Sequence, residues 1–132
     1  MPYSFHFPDA RTIDLRYTGV VGYAERAIAV EQGADLLKAN GGDRLLVDFT
    51  HASVIEEDKA HRADFIARTI THFTFVDTRV ALVGVPAEFA WPAELACEIR
   101  HIPARTFDTR EEALAWLALE GAPETPPASD PA

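Results

Sequence analysis

Hydrophobic and polar residues alternate from the start of the chain. Tyr3, Phe5 and Phe7 are separated by Ser4 and His6, a period of two that predicts a strand. Pro8-Asp9 signals a turn. From Thr12 to Tyr17 the alternation resumes, with Ile13, Leu15 and Tyr17 on one face. The two segments predict an antiparallel hairpin. Gly19 to Gly22 reads as a break, and from about Ala24 to Ala39 the period lengthens. Ala27, Val30, Ala34 and Leu37 then form the stripe of a helix. Gly33 within it costs about 1 kcal/mol relative to alanine, which close packing against a neighbouring backbone would offset. Asn40-Gly41-Gly42 stops the helix, because these residues accept the left-handed conformation at a helix end.

In the rest of the chain strands alternate with helices, with no internal sequence repeat. Leu45-Leu46-Val47-Asp48-Phe49 predicts a strand buried on both faces, and Thr50 to Ile55 a loop. A helix is predicted from about Glu56 to Phe73, with Ala63, Ile66, Ala67, Ile70 and Phe73 as its apolar stripe. Its other face carries Glu57, His61, Asp64, Arg68 and His72, three or more residues apart. Arg79 to Val85 is the next strand. A shorter helix spans about Ala87 to Arg100, with Pro92 early in it or breaking it. Ala104 to Phe107 is a last strand. The final helix starts at Asp108 or Thr109, since Asp108 with Glu111 and Thr109 with Glu112 both make capping pairs. Its buried face is Ala113, Leu114, Trp116 and Leu117. Alternating strands and helices imply a mainly parallel sheet flanked by helices, which the opening hairpin makes mixed. The expected fold is thus an α/β domain over 1–120, with five strands and four helices. Residues 121–132 hold four prolines and no large apolar residue, so a disordered tail is expected there.

Composition narrows the classes. The chain has 132 residues, 48% of them hydrophobic, one domain's worth of core. No apolar run approaches the roughly 20 residues of a membrane span. The start, Met1-Pro2-Tyr3-Ser4-Phe5, lacks the pattern of a signal peptide, and a cytoplasmic location is expected. Twelve basic against 21 acidic residues give a net charge of −9. Scattered, outnumbered cations do not make the basic patch that nucleic-acid backbones require, and the same charge opposes anionic membrane surfaces. The single cysteine, Cys97, excludes an intrachain disulfide and reads as a small core residue rather than a reactive thiol.

Gly19 after the first long strand, Arg44-Leu45-Leu46-Val47-Asp48-Phe49, and Phe107-Asp108-Thr109-Arg110-Glu111-Glu112-Ala113-Leu114-Ala115-Trp116-Leu117 carry a family resemblance. Together with the element order they resemble the STAS domain, and more narrowly the SpoIIAA-like group, which is similar also to CRAL-TRIO lipid carriers. The resemblance covers about residues 10 to 118. It implies a regulatory or ligand-carrying domain with no established enzymatic activity. True antagonists of the group carry an Asp-Ser phosphorylation motif at the start of the helix after the central strand. Here that stretch is Ile55-Glu56-Glu57-Asp58, with Glu57 near the place of the serine. The standard phosphoserine switch is therefore not expected.

Two regions are candidates for function. Ligands of open α/β sheets bind beyond the carboxyl ends of the strands, where Asp48, Thr50, His51, Ser53, Glu56 and Glu57 would line a polar regulatory loop. The alternative is local: Asp48 and Ser53 satisfying loop amides, and the glutamates favouring a helix N-terminus. Phe73, Phe75, Phe89 and Trp91 form an aromatic group that would wall an apolar pocket, with the segment around Trp91-Pro92 as a mobile lid; ordinary packing is the alternative. His61 and His72 stand eleven residues apart, about three helical turns, too far to share an ion, so no metal is expected and no cofactor. No glycine-rich phosphate loop or G-x-S-x-G elbow is present. A phospho-receiver domain would need an acidic pair after the first strand and a lysine after a late one, and neither is there. The expected function is a non-enzymatic module for a small apolar or amphipathic ligand. The alternative is a protein-interaction regulator working through the loop after Asp48, and a hydrolase using His51 with Asp48 or Ser53 is the third reading. Tyr3, Phe5 and Phe7 at a sheet edge predict a homodimer or weak oligomer.

Overall fold

The computed structural model describes residues 2–55, 59–75 and 77–119. The expected tail at 121–132 and the glutamates Glu56 and Glu57 lie outside the described residues. Along the chain run β1 (Tyr3–Asp9), β2 (Thr12–Val21), α1 (Tyr23–Asn40), β3 (Arg44–Val54), α2 (Lys59–His72), β4 (Arg79–Val83), α3 (Ala87–Ile99), β5 (Ala104–Phe107) and α4 (Arg110–Leu117). The strands form one sheet in the order β1-β2-β3-β4-β5. β1 pairs antiparallel with β2, and every other pair is parallel. This is the mixed, mainly parallel α/β fold that the alternating pattern implies.

Side-chain alternation along the strands gives the sheet two unlike faces. Leu15, Tyr17, Leu45, Val47, Phe49, Val80 and Leu82 join the main core, together with Ala34 and Leu37 of α1, Phe73 after α2 and Ala90 and Cys97 of α3. Full burial of each large side chain contributes roughly 1.5–3 kcal/mol. Tyr17 and Phe49 stack with ring centroids 4.3 Å apart. The opposite face holds a smaller cluster, Leu46, Ala81 and Val83 against Ala113 and Leu117 of α4. Three helices cover the first face and one short helix covers part of the second.

Several boundaries and packing faces differ from the sequence expectation. β2 runs through the expected break to Val21, with Gly19 at φ 73°. The expected loop from Thr50 to Ile55 is mostly strand: β3 continues to Val54, pairing His51 with Thr18 and Ser53 with Val20. Between Arg16 and Thr18 on β2 the partner advances from Asp48 to His51, so β3 carries one extra residue, a β-bulge. A bulge lets the strand continue where a polar run reads as a loop. Gly84 makes room for it: a Cβ there would meet the Thr50 backbone at 3.2 Å, at a φ of +71°.

In α2 the buried residues are Phe65 and Thr69 rather than Ala63 and Ala67, which are exposed. Phe65 has far more apolar surface to bury than an alanine. Thr69 faces inward at little cost because its Oγ1 donates to the Phe65 carbonyl at 2.9 Å. α3 is not broken at Pro92, which is a buried residue inside a continuous helix. Proline there removes one hydrogen bond, to Glu88, and the burial of Ala90, Pro92, Ala96 and Cys97 outweighs that loss. Gly33 does not meet a neighbouring backbone: a Cβ would touch only the Phe5 ring, at 3.6 Å. α1 ends as expected, with Gly41 left-handed at φ 69°. Of the two registers open to α4 the chain takes Thr109, whose side chain accepts from the Glu112 N–H at 3.2 Å.

Candidate functional site

The bulge decides where the polar residues of β3 go. Ahead of it Asp48 lies on the α4 face, opposite in sense to Val47 and Phe49. After it Ala52 and Val54 pack toward the main core, so His51 and Ser53 fall on the same face as Asp48. The structure thus brings Asp48, Thr50, His51 and Ser53 to one side of the sheet, on a strand. Asp48 is buried, while Thr50, His51 and Ser53 are exposed. Among the described residues no hydrogen bond joins His51 to Ser53 or to Asp48.

Asp48 is fully engaged. Its Oδ1 accepts from the Thr50 N–H at 2.8 Å and from Thr50 Oγ1 at 2.5 Å, and its Oδ2 accepts from Arg110 Nη1 at 2.6 Å. Arg110 also donates from Nη2 to Asp14 Oδ2 at 2.9 Å, and Arg16 Nε donates to the same carboxylate at 2.9 Å. Asp14 is completely buried. Burial alone would push the Asp48 carboxyl up; the hydrogen bonds from Thr50 and Arg110 outweigh it and hold the group below its ordinary range. The bonds to Asp14 and Asp48 push Arg110 further above the usual guanidinium range despite its partial burial. Two carboxylates thus face two guanidiniums, and the hydrogen bonds among them link β2, β3 and α4.

The other end of α4 is held by charge as well. Arg44 donates from Nε to the Leu117 carbonyl at 2.5 Å and from Nη2 to the Leu119 carbonyl at 3.1 Å, and Arg79 Nη1 donates to the Trp116 carbonyl at 2.7 Å. The Trp116 and Leu117 carbonyls are among the terminal ones a helix cannot satisfy within itself, the Leu119 carbonyl follows the helix, and cations there complement the helix dipole. Arg110 and Asp14 are the residues that sequence reading missed. The available signal was the charges set into otherwise apolar strands, Asp14, Arg44, Asp48 and Arg79, which require partners when buried.

The aromatic candidates separate. Phe73 and Phe89 line a cavity of about 50 Å³ between the sheet and α1, α2 and α3. Phe75 packs edge-on against Phe73 at 5.3 Å, under Lys38. Trp91 is 45% exposed on the outside of α3, away from the cavity. Arg26 is the charged residue lining the cavity among the described residues; it is buried, with its guanidinium 4.6 Å from the Phe65 ring centroid. Cys97 also borders it, and burial, with a smaller contribution from Glu94, pushes the thiol up to about 12, which leaves it a protonated core residue. His61 stacks on Tyr23 with centroids 4.6 Å apart, and His72 Nε2 lies 3.5 Å from Glu31. Among the described residues no three His, Cys, Asp or Glu side chains converge on a metal position, and no helix is long and apolar enough to cross a membrane.

No family model and no curated protein sequence matches the chain. Solved structures do. The anti-sigma factor antagonist SpoIIAA in its unphosphorylated form aligns over 86% of this chain and 94% of its own, with a TM-score of 0.54 and 13% identity. The fold is SpoIIAA-like. The phosphorylated form of SpoIIAA, the Bacillus cell fate determinant, aligns over 86% and 96% with a TM-score of 0.51 and 11% identity. An uncharacterised DUF3478 protein with a SpoIIAA-like fold, from Shewanella loihica, aligns over 88% and 92% with a TM-score of 0.50 and 18% identity. At these identities the likeness is one of fold. The outer surface of α3 carries apolar residues. Trp91, Leu95 and Ile99 are 45%, 38% and 50% exposed, and their spacing of four residues places them in one stripe.

Proposed function

We propose that this chain is a non-catalytic regulatory module that acts by binding another protein, and that the outer face of α3 is its contact surface. The observation that carries the reading is the stripe of Trp91, Leu95 and Ile99. Single exposed apolar residues are ordinary, but a contiguous apolar strip on a water-soluble surface marks an interaction site, and tryptophan is prominent among residues that anchor interfaces. The likeness to an anti-sigma factor antagonist supports a regulatory role. The engagement of Asp48 in this ionic cluster supports a structural part for that residue rather than an acid–base one.

The carrier reading draws on the cavity beside Arg26. Its volume of about 50 Å³ compares with roughly 300–1,000 Å³ for pockets that enclose small-molecule ligands. A lipid would require α2 and α3 to move off the sheet, so the interaction reading is preferred. The test compares the wild-type chain with Leu95→Asp in affinity purification from its own cells. A partner recovered by the wild type and lost by a folded Leu95→Asp chain is the expected result. Identical recoveries, or a small molecule retained in native mass spectrometry of the purified protein, would overturn the reading.

A further inference from the structure

The residues around the α3 stripe indicate what kind of partner fits it. Glu88 and Glu98 are exposed, and helical spacing puts both on the outward side with Trp91, Leu95 and Ile99. Glu94 lies on the flank toward β5, where its carboxylate accepts from Thr106 Oγ1 at 2.7 Å. Arg100 ends the helix, and its Nε is turned back onto the Ile70 carbonyl at 2.7 Å. The stripe is therefore an apolar seam about 12 Å long, eight residues at the helical rise, with carboxylates beside it. The chain's net charge of −9 extends the same sign around it.

We propose, resting on the reading of α3 as the contact surface, that its occupant is a basic amphipathic helix of a partner protein. Two or three large apolar side chains at helical spacing would lie on Trp91, Leu95 and Ile99, and lysines or arginines flanking them would face Glu88 and Glu98. Three other occupants fit less well. A second copy packed through α3 would bring Glu88 and Glu98 of both chains into one interface, and like charges across an interface oppose association. Residues 121–132 hold no large apolar side chain and carry Glu124 and Asp130, and they follow α4, which packs on the opposite face of the sheet. An anionic membrane meets the same repulsion.

The test uses the full chain and three synthetic helical peptides about 18 residues long, sufficient to hold a helix: leucine on one face with lysine on the other, the same pattern with glutamate for lysine, and a scrambled version of the lysine peptide. The lysine peptide should bind and shift the amide resonances of Glu88, Trp91, Leu95, Glu98 and Ile99, whereas the glutamate and scrambled peptides should not. Leu95→Asp should abolish binding. Glu88→Lys with Glu98→Lys should weaken the lysine peptide by about 10-fold or more and admit the glutamate peptide. If both amphipathic peptides bind the α3 face equally, or the double variant changes nothing, charge is not read and the inference falls while the α3 surface stands. If shifts centre on another face, if the scrambled peptide binds as well, if no peptide binds, or if anionic vesicles take the α3 face instead, the inference is overturned.

Discussion

The two faces of the sheet are held by different physics. On one, α1, α2 and α3 bury a continuous apolar core around Leu15, Tyr17, Val47, Phe49 and Leu82. On the other, the eight residues of α4 bury Ala113 and Leu117 fully and Trp116 in part, and the helix is also fastened by ions at both ends, Arg110 to Asp14 and Asp48 at its start and Arg44 and Arg79 to its last carbonyls. An isolated helix of this length is unstable in water. A broad helical layer can rest on non-directional burial, whereas a short helix with a small contact area needs directional bonds to fix where it lies. The charges in these strands are part of the fold's specification on the α4 face and are absent from the main core.

The largest expected effect is on the apolar face. Phe49→Ala should lower stability by about 3–5 kcal/mol, measured by urea unfolding, and the loss should be nearly independent of salt. Next is Arg110→Ala. Removing one partner of a buried ion pair costs roughly 3–5 kcal/mol; Arg110 is a third exposed, at 32%, so about 2–4 kcal/mol is expected at neutral pH. A loss below about 1 kcal/mol, in the range of surface pairs, would mean that α4 is held by its apolar contacts and that the two faces do not differ as described.

The same pair has a pH signature. The Asp48 carboxyl is depressed in the folded chain, so its contribution is present above the ordinary carboxylate range, near pH 4, and is lost as the pH falls through the lower folded value. The deficit of Arg110→Ala against the wild type should therefore narrow as the pH falls below about 4, because protonation removes what the arginine compensates. A deficit constant through that fall would separate Arg110 from Asp48. A smaller effect is expected at the helix cap: Thr109→Ala, which frees the Glu112 N–H, should cost about 1 kcal/mol. The smallest is Trp91→Ala, expected within about 0.5 kcal/mol of the wild type by thermal or urea unfolding. A loss of several kcal/mol would make Trp91 a core residue and remove the exposed stripe.

The apolar face was the more legible of the two in the sequence. Ala27, Ala34 and Leu37 in α1, and the alternation through Ile13, Leu15 and Tyr17, are local patterns that burial then used. The stripe of α2 was misplaced because periodicity alone does not weigh Phe65 against Ala63, nor show that Thr69 can satisfy its hydroxyl within its own helix. The loop assigned to Thr50–Ile55 is a strand because β2 lies alongside to pair with it, and a bulge sets its polar side chains outward. Of the candidate site, Asp48 was legible as a charge at the end of an apolar strand. Its partner was not, since Arg110 lies 62 residues further along the chain.

By itself the sequence determined the number, order and type of the elements, the α1 stop at Gly41 and the hairpin start, because each follows from patterns within a few residues: the period of the side chains, backbone permissiveness and capping pairs. Only the tertiary structure decided which side of α2 faces the core, that Pro92 stays inside a helix, that Trp91 is turned to solvent with Leu95 and Ile99, and that Arg110 joins Asp14 to Asp48. Those outcomes depend on competition for buried space and on charges meeting across the sheet, and both are set by residues far apart in the chain.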